Sequence, residues 1–326
     1  MPIFDQEYKK FEGKRRGSLY RIATIAWQGI RLQWKQKNIR RLVSLLNLPL
    51  LYFGFIFFLI GYAFSSPTWR EFLQGVLPNL VGRDFTRAFF DEPEKFRPVL
   101  WSFLFFVYFY YVQIFASFLL VAFVGPRLVS DDLKTGAMEI YSAKISSNWE
   151  YILGKFLVVA FYLASVSFFP SLLLYVFSLI LSPSFSVVHQ TISVVGKIFF
   201  SCFWMILFCS SAMLFFSSLT KNARYLSVGW IALWGISKFI YTFLREGAKV
   251  KWAPLISLEH NISTVAYHIY GISHQIRARF IPKTFQDLVE KHIGSHQAEF
   301  STSFLLLFIS SLVCFIGLKI RLDKKI

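Results

Sequence analysis

The sequence predicts an all-α integral membrane protein with six transmembrane helices, and composition and apolar run length lead to that prediction. Of the 326 residues, 55% are hydrophobic and 16% are charged, whereas soluble domains carry about 25% charged residues. Six apolar runs are long enough to cross roughly 30 Å of hydrocarbon as helices. Only helices satisfy every backbone polar group over such lengths in lipid. The predicted spans are 42–64, 99–124, 156–181, 194–219, 225–244 and 300–320.

The formal net charge of +17 indicates the orientation of these spans. The first 41 residues contain 11 Lys and Arg, whereas the segment 182–193 contains none. Lys and Arg accumulate in cytoplasmic segments, and an even number of spans puts both termini on one side. We therefore expect both termini in the cytoplasm. The chain is expected in the inner (plasma) membrane, and a bacterial cell is favoured. The basic excess then needs no nucleic-acid partner.

The domain organisation follows from the same pattern. Residues 1–41 are predicted as a cytoplasmic N-terminus, and residues 42–326 as a six-helix transmembrane domain with a cytoplasmic loop at 125–155 and an extracytoplasmic segment at 245–299. The polar N-terminus lacks a short apolar core followed by a cleavage site, so no removable signal peptide is predicted. The three cysteines lie inside apolar stretches, which favours packing over disulfide formation.

An amphipathic helix is predicted before the first span. Apolar residues recur at spacings of three and four, and polar residues fall on the opposite face. The apolar set is Leu19, Ile22, Ala26, Ile30 and Trp34, and the polar set is Arg21, Gln28, Arg31 and Lys35. This pattern is typical of a helix lying on an anionic membrane surface. A solvated charge run and a calmodulin-type target helix are the alternatives.

The loop at 125–155 has the signals of two short helices joined by a bend. Ser130, followed by Asp131 and Asp132, has the pattern of a helix N-cap with acids in the first turn, and Gly136 is a natural break. Ser147 and Glu150 form a capping-box pattern. Four basic and four acidic residues cancel in this loop. A charge-balanced, structured loop favours protein docking over lipid binding.

The string from Leu128 to Ser142, followed by Tyr151-Ile-Leu-Gly-Lys155 and an apolar span, resembles the loop after the second span in permeases of ABC-2 type exporters. The sequence departs from that family at Lys144-Ile145, where Arg-Pro is favoured, and at Ser147, where a second Arg is common. The resemblance implies a six-helix half-transporter with an interfacial helix before the first span. It also implies short extracellular helices between spans five and six.

The resemblance further implies partners. Two copies of a separate ABC ATPase would dock on the loop, and a second permease, most simply another copy of this chain, would complete a dimer among membrane lipids. The chain has no G-x-x-x-x-G-K-[ST] phosphate loop. ATP and Mg²⁺ are therefore expected on the ATPase, with no cofactor on this chain, which is predicted to be a transporter subunit and not an enzyme. The residues assigned to ATPase coupling are Asp131, Asp132, Lys134, Glu139, Tyr141 and Lys144.

Two lysines and a group of aromatic residues are candidates for a substrate path. Lys197 and Lys238 lie within predicted spans, where ionisable groups often mark a pathway. Snorkelling to the outer boundary is favoured for Lys197, while for Lys238 both interpretations stay open. Tyr108 and Tyr111, on the aromatic second span, could line a lateral path, although packing is the alternative for each. The spans contain no carboxylate that would serve a proton or sodium relay.

His292 and His296 are spaced so that a continuous helix would place both on one face, where they could share a zinc ion. No third ligand is evident, and polar histidines at a headgroup boundary are the favoured alternative. Asn261-Ile-Ser263 matches a glycosylation sequon.

Two other functions compete with export. A non-transporting scaffold would recruit an extracytoplasmic partner through 245–299, and a membrane-embedded enzyme would use the histidines. No nucleophile, base and acid set supports the enzyme.

Overall fold

A computed structural model describes residues 17–137, 147–182 and 186–324. Their regular structure is entirely helical, and six helical segments are long and apolar enough to cross a membrane. These segments are Lys37–Ser65, Pro93–Thr135, Asn148–Ile180, Ser186–Leu219, Ala223–Gly247 and Phe300–Asp323. The predicted class and the number of spans are therefore confirmed. Most segments extend beyond the apolar runs because polar residues at the membrane boundary do not end a helix.

The first three spans are interrupted or bent. The first comprises α2 (Lys37–Leu46) and α3 (Pro49–Ser65). The second comprises α6 (Pro93–Tyr108), a π-helical turn (Phe109–Gln113), α7 (Ile114–Val124) and α8 (Arg127–Thr135). The third breaks at Ser167 into α9 (Asn148–Val166) and α10 (Phe168–Ile180). Pro170 contributes to this break because it has no amide hydrogen for the helical ladder.

The remaining spans are α11 (Ser186–Leu219), α12 (Ala223–Thr242, continued by a π turn Phe243–Gly247) and α16 (Phe300–Asp323). In the second and fourth spans 61% of the most apolar window is buried, against 22%, 17% and 22% in the first, fifth and sixth. The second and fourth spans thus form the centre. The first, fifth and sixth present apolar faces outward, as a helix does toward lipid or another chain.

Two helices that no sequence signal above predicts follow the first span. They are α4 (Pro67–Val81) and α5 (Arg83–Asp91). Phe89 and Phe90 of α5 pack with Phe64 and Phe96 in a small aromatic cluster apart from the main core. This cluster holds the connection against the beginning of the second span.

The connection between the fifth and sixth spans contains five short helical elements. They are two 3₁₀ turns (Ala253–Ile256 and Gly294–His296), α13 (Leu258–Tyr270), α14 (Ile272–Gln275) and α15 (Lys283–His292). Most of α13 is buried against the second, fourth, fifth and sixth spans. The expected short helices are present, and α13 is a packed component of the helical body.

The predicted helix before the first span is α1 (Ser18–Trp34), which lies along α9. Gly154 permits this close approach, since a Cβ there would come within 2.6 Å of an Ile25 methyl. Of the predicted apolar face, Ala26 is buried, whereas Leu19 and Trp34 are 83% and 45% exposed. Arg21, from the predicted polar face, donates to Glu150 of α9.

Candidate functional site

The second and third spans meet the fourth and sixth at one end of the molecule, which we call the terminal end because α1 and the end of α16 also lie there. Arg321 of α16 donates to the carbonyls of Ser218 and Leu219 at the end of α11. Asn148, at the beginning of α9, donates to Asp323 at 2.6 Å. These contacts connect the third, fourth and sixth spans at this end.

The first helix of that loop begins earlier than the sequence indicated. Ser130 does not cap it; α8 begins at Arg127, and the Ser130 hydroxyl donates to the Pro126 carbonyl at 2.5 Å. The Ser217 hydroxyl of the fourth span instead accepts from the amides of Val129 and Ser130, at 3.2 and 3.1 Å. It also donates to the Pro126 carbonyl. The partner for these amides therefore comes from another span, which no local pattern reveals.

The other loop signals are largely confirmed. Gly136 ends α8 in a left-handed conformation with φ of 71°, which glycine adopts without steric cost. The Ser147 hydroxyl caps α9 by accepting from the Trp149 amide at 3.3 Å. Glu150 does not complete the capping box, because its carboxylate accepts from Arg21 at 2.7 and 2.6 Å. That ion pair connects α1 to the third span.

The residues assigned to ATPase coupling fall into three groups. Asp131 and Lys134 are exposed on α8. Asp132 faces the third span, where it accepts from the Tyr151 hydroxyl at 2.7 Å and pairs with Lys155 at 2.6 Å. Asp132 therefore attaches α8 to α9. Glu139, Tyr141 and Lys144 lie outside the described residues.

A groove of about 660 Å³ lies beside α8 at the terminal end. Its charged lining residues are Arg127, Asp131, Lys134, Lys221 and Arg224. The loop is neutral in sequence, yet the groove carries four cations and one anion. The difference arises because Asp132 turns inward, because the short connection before the fifth span contributes Lys221, and because the first turn of α12 contributes Arg224. This surface suits an acidic partner.

A second polar group lies between the fifth span and α13. Lys238 pairs with Glu259 at 2.9 Å, and the Trp234 indole donates to the same carboxylate at 3.1 Å. The Glu259 side chain is 14% exposed and that of Lys238 is 50% exposed. Trp234 lies thirteen residues before the end of the span at Gly247, roughly 20 Å along a helix. The predicted spans themselves contain no carboxylate, but Glu259 from the following connection contacts the fifth span.

The contact of Glu259 with the fifth span was not predicted, because Glu259 belongs to the connection between spans. One local signal was available: Ser257 caps α13 by accepting from the His260 amide, and Glu259 occupies the first turn. Acids favour that position because of the helix dipole. The contact of α13 with Trp234 and Lys238 was not available from sequence.

The three residues assigned to a substrate path occupy different environments. Tyr108 is 1% exposed and packs against Phe53 of the first span, so in this chain it belongs to the core. Tyr111 is 56% exposed on the second span. Phe115, one helical turn further, contacts Trp234 with ring centroids 5.6 Å apart. Tyr111 and Lys238 are therefore on accessible surfaces of adjacent spans, whereas Tyr108 is not.

Lys197 makes two hydrogen bonds to neighbouring elements that the sequence does not predict. Its ammonium donates to the Ser102 hydroxyl at 2.9 Å and to the Tyr270 carbonyl at 3.1 Å. These bonds join the fourth span to the second span and to the end of α13. Lys197 thus holds α13 in place from inside the helical body.

His292 and His296 do not share a helix face. Helix α15 ends at His292, and His296 belongs to the following 3₁₀ turn, where its ring bonds the Tyr241 hydroxyl. The His260 ring stacks on Tyr241 with centroids 3.9 Å apart. Across the described residues, no three His, Cys, Asp or Glu side chains are grouped as metal ligands. Through Tyr241, His260 connects α13 to the fifth span, and His296 connects the 3₁₀ turn to the same span.

The sequon does not present an acceptor. Asn261 is 1% exposed, and its amide nitrogen donates to the carbonyls of Leu255 and Ser257 at 2.7 and 2.8 Å. That nitrogen is the atom a glycan would occupy, so the folded chain offers no glycosylation site at Asn261.

Acidification is expected to destabilise the contact of α13 with the fifth span. Burial lowers the pKa of His260 from 6.5 to about 3, with Lys238 and His296 adding to the effect. Between pH 6.5 and about 3, His260 therefore binds a proton more readily in the unfolded chain than in the folded chain. The stability of the fold falls as the pH drops below about 6.5. Thermal unfolding between pH 7.5 and 4.5 should show a loss of several degrees that His260→Gln reduces. If acidification lowers the melting temperature equally in His260→Gln and in the exposed control His274→Gln, protonation of His260 is not the cause.

Comparison with known proteins gives no assignment. No protein-family model matches the chain, and no curated protein matches it.

Proposed function

We propose that this chain is the membrane subunit of an ATP-driven exporter of the ABC-2 type. Six helices suited to crossing a membrane support a transport role. In this proposal a separate ATPase supplies ATP hydrolysis with Mg²⁺, and two such ATPases act on a dimer of two copies of this chain. Both termini and α8 face the cytoplasm of a cell with a bacterial-type inner membrane. Helix α1 lies in the interface of that membrane.

The observation that carries the proposal is the attachment of α8. Asp132 connects it to the third span through Tyr151 and Lys155, and Ser217 connects it to the fourth. It also continues the second span. A force applied to the exposed Asp131 and Lys134 would therefore reach three spans together. That is the mechanical requirement for coupling an external ATPase to movement of a membrane domain.

In this proposal the substrate path runs along the surface of the fifth span around Lys238. Lys238 is half exposed and Tyr111 is exposed, so both would face a cavity between two copies if these spans adjoin the dimer axis. The Lys238–Glu259 pair then provides a charged element beside an otherwise aromatic wall. Movement of the second span relative to α13 would open or close this wall.

The scaffold alternative has less support. Its recruiting segment, 245–299, has α13 as its longest helix, and nine of the thirteen residues of α13 are buried against the spans. Little of that helix is left to bind an external partner.

Capture from native membranes tests the proposal. The tagged full-length chain should co-purify with an ATPase subunit and retain ATP hydrolysis. Asp131→Arg combined with Lys134→Glu should reduce capture about tenfold, a typical loss when charges on a docking surface are reversed. The matched control, Arg83→Glu with Asp84→Arg, reverses two exposed residues on α5 and should leave capture unchanged. Absence of any ATPase subunit from wild-type captures would reject the proposal.

A further inference from the structure

A narrow apolar cavity lies between α5, the beginning of the second span and the segment 272–285. Its volume is about 250 Å³, and residues such as Val81, Phe85, Phe103, Leu104, Ile276 and Phe285 line it. We call it the alkyl slot. It is separate from the Lys238 group and from the groove beside α8, and nothing in the proposed export function uses it.

The walls of the alkyl slot are fixed by aromatic contacts. Phe96 is 1% exposed and contacts Phe85 at 5.0 Å and Phe280 at 5.5 Å between ring centroids. Phe103 meets Phe285 edge to face at 5.4 Å. Rings held on both sides cannot collapse easily into the space between them. The slot is therefore a preformed feature of the packing.

The chemistry of the walls selects an apolar occupant. Twelve of the thirteen lining residues are apolar, and Gln275 is the exception. Water in such a cavity would therefore lack the two to four polar partners it needs. The slot follows the second span from Phe96 to Leu104, roughly 12 Å along a helix. Its volume fits roughly eight groups of the size of a water molecule or a methylene. These dimensions match a segment of one alkyl chain.

Three exposed cations alternate along the sequence with wall residues of the alkyl slot. Arg277, Arg279 and Lys283 follow the wall residue Ile276 and are all exposed. The stretch from 260 to 286 contains no acidic residue. Within the described part of the chain, none of these three cations is in an ion pair. An occupant with an anionic head at the rim would neutralise this cluster.

We propose that the alkyl slot binds one acyl chain of an anionic membrane lipid, with its head group on Arg277, Arg279 and Lys283. The slot accepts about half of a long chain, and the rest of the lipid stays in the bilayer. Interfacial cations favour anionic lipids through Coulomb attraction. Such a lipid would brace α5 against the segment 272–285, whether or not the protein is an exporter.

Native mass spectrometry of the full-length chain in detergent tests the proposal. Phosphatidylglycerol should be retained on the order of a hundredfold more tightly than phosphatidylcholine with the same chains, given three cations at the rim. Decanoate, added alone, distinguishes a free fatty acid from a lipid: stronger retention of decanoate than of phosphatidylglycerol would overturn the assignment to a membrane lipid. Equal retention of the two phospholipids would overturn the role of the rim.

Two variants separate the chain from the head group. Leu104→Trp fills the alkyl slot and should abolish retention of both phospholipids, whereas Leu306→Trp, on the outward face of the sixth span, should not. Substitution of Arg277, Arg279 and Lys283 by glutamine should remove only the preference for phosphatidylglycerol. The matched control, Lys249→Gln with Lys251→Gln, should preserve it. Unchanged retention in Leu104→Trp would overturn the proposal.

A measurement on the wild-type chain tests the proposal without depending on whether these variants fold. A phosphatidylglycerol with a photoreactive diazirine near the end of one acyl chain should label residues within 81–104 and 272–285. Labelling confined to the outward faces of the first, fifth and sixth spans would overturn the proposal.

Discussion

Lys238→Met is expected to lower the free energy of unfolding by about 2–3 kcal/mol, because it leaves the largely buried Glu259 carboxylate without its ammonium partner. The Trp234 indole would remain as the hydrogen-bond donor. Half of Lys238 is exposed, so the loss should not reach the range expected of a fully buried pair. Thermal unfolding in detergent measures it.

A double-mutant cycle identifies the origin of this loss. Glu259→Gln in the Lys238→Met background removes the stranded charge and should restore most of the stability. Lys221→Met, an exposed lysine at the terminal end, should change stability by less than about 0.5 kcal/mol. Additive losses from Lys238→Met and Glu259→Gln would show that the pair contributes no coupling. If the proposed path is correct, Lys238→Met should also impair export while ATPase capture persists.

Gly154→Leu is expected to separate α1 from the third span. Even a Cβ at this position would lie 2.6 Å from Ile25 Cγ2 and 2.7 Å from Ile25 Cβ, and the Ile22 carbonyl is 3.4 Å away. Overpacking of this kind typically costs about 1–3 kcal/mol, and leucine lies at the upper end of that range. The Arg21–Glu150 pair would be strained as α1 moves. Protease sensitivity of α1 and thermal unfolding together measure the effect.

Gly196→Leu is the matched control, since nothing lies within 4 Å of a Cβ at that position in the fourth span. Ile25→Ala should rescue Gly154→Val by clearing the space that the new side chain requires. A Gly154→Leu chain with unchanged stability and an undigested α1 would refute the close helix contact.

The spans were predictable because apolar length is a local property. A run such as 300–320 is long and apolar enough to cross a bilayer as a helix wherever its neighbours lie. Gly136 and Ser147 were predictable for a related reason: a left-handed turn and an N-cap depend on a few adjacent residues. By contrast, the pairing of Arg21 with Glu150 was not predictable, because the two residues are 129 positions apart.

The sequence by itself determined that the chain is helical, that six segments can cross a membrane and where the loop between the second and third spans bends. The tertiary structure decided which polar groups meet. Ser217 completes the beginning of α8, Asp132 turns inward to Lys155, and Glu259 enters from a connection to pair with Lys238. The physical reason is that hydrophobic burial follows local sequence, whereas hydrogen bonds and ion pairs need partners that only packing brings together.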